Sequence, residues 1–299
     1  MKIVVTGANS SVGQNLLRHC ADAVDIDVVA GVRSERAFSV LPNSSAITPR
    51  VICYGDPSDL TEALKGSNCV VHLAGILIES KHTNYADANI AATEAMVQAA
   101  NQAGIQHLVF ISVIGAEANS RNAYLRSKGT AEKLVAESGI SATIIRTPIL
   151  LGPGTAGANS LLSLSNRSKV KILGGGAHSL RPLDIDDLSN AILKVCRERP
   201  EGVSIHELVG PEAVTYRDLI AKAANMQNKS VGVGSVPVVL AKFGAMVMST
   251  FTGGGGITPT VIDVITMDEN VKSNADRALS IQLTPLQNTL EKIIGNRLI

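Results

Sequence analysis

The sequence predicts an α/β protein with a doubly wound parallel sheet and a smaller C-terminal lobe. Short runs of apolar, often β-branched residues alternate with amphipathic helical segments along the first 150 residues. Strands that are apolar throughout indicate a parallel sheet that is covered by helices on both faces. Six such strands in one half of the chain favour the doubly wound arrangement. A length of 299 residues and an apolar content of 45% are enough to build this core.

The predicted elements of the first half follow one another in regular order. Period-two or continuous apolar runs predict six strands: Lys2–Thr6, Asp27–Val32, Arg50–Tyr54, Cys69–Ala74, His107–Ser112 and Ala142–Arg146. Apolar stripes at helical spacing predict four helices: Ser11–Ala21, Asp59–Lys65, Tyr85–Ala103 and Ala123–Ser138. Gly104 and Gly139 follow two of these helices, where a glycine commonly ends a helix.

The pattern becomes less regular after Pro148, and this change sets the predicted domain division. Helices are expected at Asp184–Arg197, Thr215–Asn225 and Thr284–Ile294, and a flexible break at Thr252–Gly256. We assign residues 1–150 to the sheet domain, with 184–200 packing back on it. Residues 151–183 and 203–299 then form the small lobe.

Composition excludes several classes of partner. Basic and acidic residues nearly balance, at 27 and 26, so no excess charge is present to bind nucleic acid. Aromatic residues make up 3% of the chain and Trp is absent, which argues against base- or sugar-stacking surfaces. The four cysteines lack metal-ligand spacing, so we expect no metal site. We interpret the four cysteines as buried free thiols. Because free thiols are typical of a reducing compartment, we expect a cytoplasmic protein.

Membrane association is not expected from the sequence. The N-terminal apolar run is too short for a signal peptide. No stretch reaches the roughly 18 apolar residues of a membrane span. The nearest candidate, Val236–Phe251, contains Lys242 and Gly244. We interpret it as a packed core or subunit-contact helix, and a contact with the membrane surface is the less favoured alternative.

The turn after the first strand carries the clearest ligand-binding pattern. It reads Thr6-Gly7-Ala8-Asn9-Ser10-Ser11-Val12-Gly13 and lies between a strand and a helix. Glycines in such a turn allow a pyrophosphate to approach the helix N-terminus closely. An ordinary glycine-containing turn is the alternative interpretation.

This turn resembles the TGxxGxxG fingerprint of the short-chain dehydrogenases/reductases, especially their extended and atypical branches. The resemblance implies a Rossmann fold and a bound NAD(P), with the turn residues as contacts: Gly7, Asn9, Ser10, Ser11, Val12 and Gly13. Ser10 replaces the middle glycine of the pattern. Its side chain adds bulk at the phosphate, and also a hydroxyl that could donate to it.

The end of the second strand predicts a preference for NADP(H) over NAD(H). Relatives that prefer NAD place an acidic residue there, which binds the ribose 2′-hydroxyl. This chain has Val32 and then Arg33, so a 2′-phosphate meets a cation and no repulsion. A solvated surface arginine is the alternative.

The resemblance assigns further cofactor contacts. Asp56 corresponds to an aspartate that contacts the adenine amino group. Leu73, Ala74 and Gly75 match the small-residue segment that ends the fourth strand. Pro148 and Ile149 match the segment that meets the nicotinamide. His72 lies in an apolar strand, and we interpret it as a core histidine.

Tyr124 and Lys128 give the strongest catalytic pattern. Their spacing of four places the phenol and the ammonium group on one helix face. A nearby ammonium group favours the phenolate, so we expect the pKa of Tyr124 to fall toward neutral pH. The resemblance implies that Tyr124 is the general acid/base and that Lys128 also binds the nicotinamide ribose. It further implies that Asn89 holds a relay water.

The remaining catalytic position departs from the family pattern. Ile114 occupies the place where extended members carry a catalytic Ser or Thr, and Ser112 is the nearest preceding hydroxyl. We include Ser112 as a candidate for both catalysis and cofactor binding. If it contacts only the cofactor, the site lacks its usual carbonyl polariser.

These observations predict an NADP(H)-dependent oxidoreductase that acts on a carbonyl or alcohol group of an apolar small molecule. The expected partner is this substrate, and the expected assembly is a monomer or homodimer. One alternative is a non-catalytic NAD(P)H-binding accessory or regulatory protein. Thr258-Pro259 and Met267–Val271 resemble a subgroup that includes the Rossmann-fold accessory subunit of mitochondrial complex I and bacterial relatives. That accessory subunit and the nitrogen-metabolite-repression regulators are the family's precedents for this alternative. A sugar-nucleotide epimerase or dehydratase is a further alternative.

Overall fold

A seven-stranded parallel sheet forms the centre of the protein. The computed structural model describes residues 1–252 and 256–295, without the side chains of 249–252. Strands are numbered along the chain, and the first six are β1 (Lys2–Thr6), β2 (Asp27–Val32), β3 (Ile47–Val51), β4 (Cys69–His72), β5 (His107–Val113) and β6 (Ser141–Thr147). The short strands β7 (Leu150–Leu151), β8 (Lys169–Leu173), β9 (Ser179–Leu180) and β10 (Leu183–Asp184) follow, and then β11 (Val203–Glu207), β12 (Val214–Thr215) and β13 (Gly232–Val236). The sheet order is β11-β6-β5-β4-β1-β2-β3. This confirms the predicted doubly wound fold.

Helices cover both faces of this sheet, and further helices build the C-terminal part of the protein. In chain order they are α1 (Ser11–Ala21), α2 (Pro57–Leu64), α3 (Ala92–Gln102), α4 (Ala123–Ala136), α5 (Ala156–Ser165), α6 (Ile185–Glu198), α7 (Tyr216–Asn225), α8 (Val238–Thr252), α9 (Pro259–Ile265) and α10 (Leu286–Gly295). A π-helical turn at Ala86–Ala91 leads directly into α3. The face with α1 and α6 buries Leu16, Leu188 and Ile192 in one cluster. The opposite face buries Leu60 and Met96 in a second cluster.

The C-terminal elements build a third cluster beside the sheet. It contains Leu161 of α5, Ile172 of β8, Leu219 of α7 and Leu290 of α10. The short strands pair as β10 with β7, β12 with β9 and β13 with β8. By contrast, β11 pairs in parallel with β6 and belongs to the main sheet, although the predicted division assigns its residues to the small lobe.

The third strand differs from its prediction. The third strand is Ile47–Val51, not Arg50–Tyr54, because the chain turns after Ile52 and Asp56 then caps α2. Pro49 fits within β3 because β3 is an edge strand, where a missing N–H is tolerated. Helices α5 and α9 were not predicted. The predicted break at Thr252–Gly256 falls largely on residues 253–255, which lie outside the described residues.

The described residues contain neither a membrane-spanning helix nor a cluster of metal-binding side chains. None of the helices in 1–252 and 256–295 combines the length and apolarity that crossing a membrane requires. In the same ranges, no three His, Cys, Asp or Glu side chains are arranged to hold a metal ion.

Candidate cofactor and substrate cleft

A cleft of about 670 Å³ brings together residues of the sheet and of the C-terminal elements. Eight of the predicted site residues line it: Ser11, Leu73, Gly75, Ser112, Tyr124, Lys128, Pro148 and Ile149. They follow from the topology, because the carboxyl ends of parallel strands meet at one edge of the sheet. The remaining predicted residues lie in the first turn or at the ends of β2, β3 and β4, apart from Asn89 before α3.

Glycines let the first turn pack closely against its neighbours. Gly7 has φ +68°, and a Cβ there would lie 3.1 Å from the Ala74 nitrogen. A Cβ on Gly13 would lie 2.5 Å from the Ala8 carbonyl oxygen. The turn therefore packs closely against α1 on one side and against the segment that follows β4 on the other. Both positions require glycine for the packing of the protein itself.

Ser10 is the N-cap of α1. Its Oγ accepts a hydrogen bond from the Gly13 N–H at 3.0 Å. The N–H groups of Ser11 and Val12 have no acceptor in the described part of the chain, and a helix cannot satisfy its own first donors. Two free donors at a helix N-terminus suit an anion. These residues therefore fit the pyrophosphate of a dinucleotide.

Arg33 and Asp56 stand beyond the ends of β2 and β3. Arg33 is exposed, and no carboxylate within the described ranges pairs with it. Asp56 caps α2, since its Oδ1 accepts from the Ser58 and Asp59 N–H groups at 3.0 and 3.1 Å. This local role accounts for Asp56 without a ligand, and its adenine contact stays a prediction.

Lys128 is almost completely buried, with 6% of its surface exposed. Its Nζ donates to the Ile111 carbonyl at 2.8 Å and lies 4.2 Å from the centre of the Phe110 ring. Burial lowers the pKa of Lys128 to about 8, against a smaller opposing effect of Glu132. The ammonium group is thus held at the cleft with few partners, and it can lose its charge just above neutral pH.

Tyr124 is the second residue of α4, and Asn122 caps this helix by accepting from the Tyr124 and Leu125 N–H groups. Burial, and then the neighbouring Tyr85, raise the pKa of the Tyr124 phenol well above its ordinary value. The expected lowering by Lys128 is therefore wrong for this structure. The cause is that desolvation of the phenolate dominates, while the Lys128 ammonium group faces Ile111 and Phe110. The phenol keeps its proton and is ready to donate it.

The hydroxyl of Ser112 is buried and has no hydrogen-bond partner in the described part of the chain. Its carbonyl accepts from the Thr147 hydroxyl at 3.2 Å. Ile114, two residues later, is also buried and lines the cleft. An unpaired buried hydroxyl costs free energy, so this group is suited to a bound molecule.

Asn89 joins the segment after β4 to helix α4. Its Oδ1 accepts from the Ile76 N–H at 2.8 Å, and its Nδ2 donates to the Ile76 carbonyl and to Ser127 Oγ at 3.1 and 2.9 Å. A Cβ on Gly75 would lie 3.0 Å from this Oδ1. Both ends of the Asn89 amide are therefore engaged in hydrogen bonds within the protein. Its predicted role in holding a relay water stays a prediction.

His72 is a core histidine, as predicted. It is fully buried, its Nδ1 lies 2.7 Å from Thr6 Oγ1, and its ring stacks on Phe110. Burial, and then Lys128, lower the pKa of His72 to about 3, so it stays neutral.

Several residues in the cleft or next to it are not predicted by the sequence. Tyr85 packs its ring 5.8 Å from that of Tyr124. Glu269 accepts from the Ile149 and Arg181 N–H groups, both at 2.8 Å. The others are Ser160, Lys171, His178 and Tyr216. Glu269 lies within the motif Met267–Val271, which resembles the complex I subgroup, whereas no sequence pattern indicates the other residues.

Comparison with known proteins gives one family match and several relatives. A family model described as NAD(P)H-binding matches residues 7–171. A mitochondrial NADH dehydrogenase (ubiquinone) 1 alpha subcomplex subunit 9 of Dictyostelium discoideum is 24% identical over 72% of this chain and 61% of its own length. A decarboxylating sterol-4-alpha-carboxylate 3-dehydrogenase of the same organism is 27% identical over 92% of this chain and 93% of its own. This chain thus spans about three fifths of the complex I subunit.

Solved structures agree on the fold. A nucleoside-diphosphate-sugar epimerase of Staphylococcus aureus superposes with a TM-score of 0.75, over 97% of this chain and 100% of its own. Its sequence identity is 20%, so the likeness shows the fold alone.

Proposed function

The chain belongs to the NAD(P)H-binding family, as an atypical extended short-chain dehydrogenase/reductase, and we propose that it reduces a carbonyl group of a largely apolar small molecule with NADPH. One observation carries the proposal. A protonated Tyr124, the buried Lys128 and the unpaired Ser112 hydroxyl line one cleft. These are the groups that a carbonyl oxygen needs as it gains a proton.

The first turn and Lys128 would hold the cofactor. The free N–H groups of Ser11 and Val12 would donate to the pyrophosphate. The Lys128 ammonium group, now hydrogen-bonded to the Ile111 carbonyl, would donate to the nicotinamide ribose. When it is bound, NADPH supplies the hydride for the carbonyl carbon.

Tyr124 supplies the proton in this scheme. Its phenol donates to the carbonyl oxygen, which becomes the hydroxyl of the product alcohol. The raised pKa means that the phenol carries its proton at neutral pH, as this step requires. In the arrangement described, Lys128 does not lower the pKa of Tyr124; its positive charge would stabilise the phenolate only once the ammonium group leaves the Ile111 carbonyl. The Ser112 hydroxyl would orient the same carbonyl oxygen.

NADP(H) is the proposed cofactor because of the residues beyond β2. Val32 is neutral, and the exposed Arg33 has its guanidinium group available for a 2′-phosphate. The small-molecule substrate is proposed to be largely apolar because the cleft wall is mostly apolar. Examples are Leu164, Ile172, Val264 and Met267.

The non-catalytic alternative has its own supporting observations. Ile114 stands where extended family members carry a catalytic Ser or Thr, so that hydroxyl is missing from this chain. In addition, a complex I subunit 9 is among the relatives. One experiment separates the two functions. NADPH binding is measured by calorimetry, and the absorbance of NADPH is then followed with a panel of apolar ketones and aldehydes. The proposal expects tight binding and turnover of at least one compound. Tight binding without any turnover supports the accessory protein instead.

A further inference from the structure

The part of the cleft that is formed by the C-terminal elements carries an unexpected polar cluster. Four side chains from separate segments contribute to it: Ser160 of α5, Lys171 of β8, His178 before β9 and Tyr216 of α7. Ser160 Oγ and the Tyr216 hydroxyl are 3.4 Å apart. The rings of His178 and Tyr216 lie 5.5 Å apart at an angle of 31°. Ser160, His178 and Tyr216 thus form a connected polar surface, and Lys171 lines the same cleft.

Lys171 supplies the positive charge of this cluster. It is exposed, and no carboxylate in the described ranges lies within ion-pair distance of it. Its neighbour across the strand pair is Gly234 of β13, which has no side chain to cover the lysine stem. The ammonium group is therefore available to a ligand in the cleft.

The negative charges near the cluster are already engaged. Glu269 is the one carboxylate among the cleft-lining residues that the structure describes. Both its oxygens accept backbone N–H groups, and burial raises its pKa. Asp268, which faces His178, accepts from the Ser179 N–H at 2.7 Å. Burial lowers the pKa of His178, so its ring is neutral at pH 7 and can serve as a hydrogen-bonding group.

We propose that this cluster binds an anionic group of the substrate, a carboxylate or a phosphate monoester. Lys171 supplies the charge, and the Ser160 and Tyr216 hydroxyls can donate hydrogen bonds. This inference builds on the proposed function. The substrate class it names is an amphipathic carbonyl compound, with the carbonyl at Tyr124, an apolar body and an anionic end at Lys171.

Binding of non-reactive probes tests the cluster without any turnover. Decanoate, decyl phosphate and decanol share an apolar chain and differ in the end group. Each is titrated calorimetrically into the full chain with NADPH present. We expect at least one anion to bind about 10-fold more tightly than decanol, the lower end of what a charge-assisted hydrogen bond provides. The anion that binds more tightly identifies the source of the charge.

Two variants complete the experiment. Lys171→Met keeps most of the stem and removes the charge, so it should abolish the preference for the anion and leave decanol binding unchanged. Lys169→Met, also exposed on β8, is the matched control and should behave like the parent. Three results would overturn the inference: equal affinity for all three probes, a preference that survives in Lys171→Met, or no binding of any probe. If the preference holds but no carbonyl compound is reduced, the anion site stands and the proposed reduction fails.

Discussion

The ammonium group of Lys128 lies 4.2 Å from the centre of the Phe110 ring, inside a region where only 6% of the lysine is exposed. The ring face attracts the cation, but it replaces little of the hydration that burial removes. The pKa of Lys128 is lowered to about 8 because the lost hydration outweighs the attraction of the ring. A charge held under such conditions indicates function, since it costs stability in the absence of a ligand.

Lys128→Met should stabilise the protein at pH 7. The shift of the Lys128 pKa from 10.5 to about 8 corresponds to about 3 kcal/mol. Part of this is offset because the variant loses the ring contact and the hydrogen bond to Ile111, so we expect a gain of about 1–3 kcal/mol. The measurement is the free energy of unfolding in urea. Lys133→Met, an exposed lysine on the same helix, should change it by less than about 0.5 kcal/mol.

The pH dependence of this effect has a definite sign. The folded pKa lies below the unfolded one, so between about pH 8 and 10.5 the unfolded chain binds more protons. The stability of the parent should therefore rise through this window relative to that of Lys128→Met. The gap between the two should close by about pH 10.5. A variant that is less stable than the parent at pH 7 would contradict the account of Lys128.

Ser10→Gly should leave NADPH affinity unchanged or slightly tighter. The structure uses the Ser10 hydroxyl to cap α1, and glycine is nearly as good an N-cap, so stability should fall by only a few tenths of a kcal/mol. Ser10→Ala should cost about 1 kcal/mol, since it removes the cap. Calorimetric titration with NADPH and urea unfolding distinguish these roles. A loss of affinity above about 10-fold in Ser10→Gly, or about 1.4 kcal/mol, would show that the hydroxyl binds a phosphate.

Arg33→Ala should weaken NADPH binding by roughly 10- to 150-fold, the equivalent of losing one charge-assisted contact of about 1.5–3 kcal/mol. NADH binding should not change, because that cofactor has no 2′-phosphate. Arg36→Ala, an exposed arginine in the following 3₁₀ turn, is the control. Equal NADPH affinity in the parent and in Arg33→Ala would remove the basis for the NADP(H) preference.

Glu269→Gln should lower stability and weaken substrate binding, because Glu269 holds two segments of the cleft wall together. The two carboxylate oxygens join the Ile149 and Arg181 backbones, and an amide would turn its NH₂ toward one of these donors. One unsatisfied N–H costs about 1–3 kcal/mol, and the KM for the substrate should rise more than kcat falls. The check is urea unfolding together with steady-state kinetics. The exposed Glu137→Gln is the control, and parent-like values for Glu269→Gln would contradict this role.

The sequence predicted the elements and residues whose signals are local. The turn at Gly7 and Gly13 follows from a strand–turn–helix pattern. A spacing of four places Tyr124 and Lys128 on one helix, and both line the cleft, but the predicted effect of Lys128 on the phenol is not observed. The pKa of Tyr124 was predicted in the wrong direction, because burial of its phenol depends on Tyr85 and on packing that no spacing reveals.

The C-terminal side of the cleft shows why the rest could not be predicted. Its strands β7, β9, β10 and β12 have two residues each, too short to show any periodicity. Its key contact joins Ile149 and Glu269, which are 120 positions apart in the chain. Likewise, Lys171 and Tyr216 enter the cleft through tertiary packing alone.

The most direct test of the account is the rate of carbonyl reduction by Tyr124→Phe with NADPH saturating. Phenylalanine keeps the ring that packs against Tyr85 and removes only the hydroxyl group that donates the proton. We expect normal folding, nearly unchanged NADPH affinity and a rate that falls by about 10²- to 10⁴-fold, the usual contribution of general acid catalysis. Full activity of Tyr124→Phe on a compound that the parent reduces would contradict the central claim.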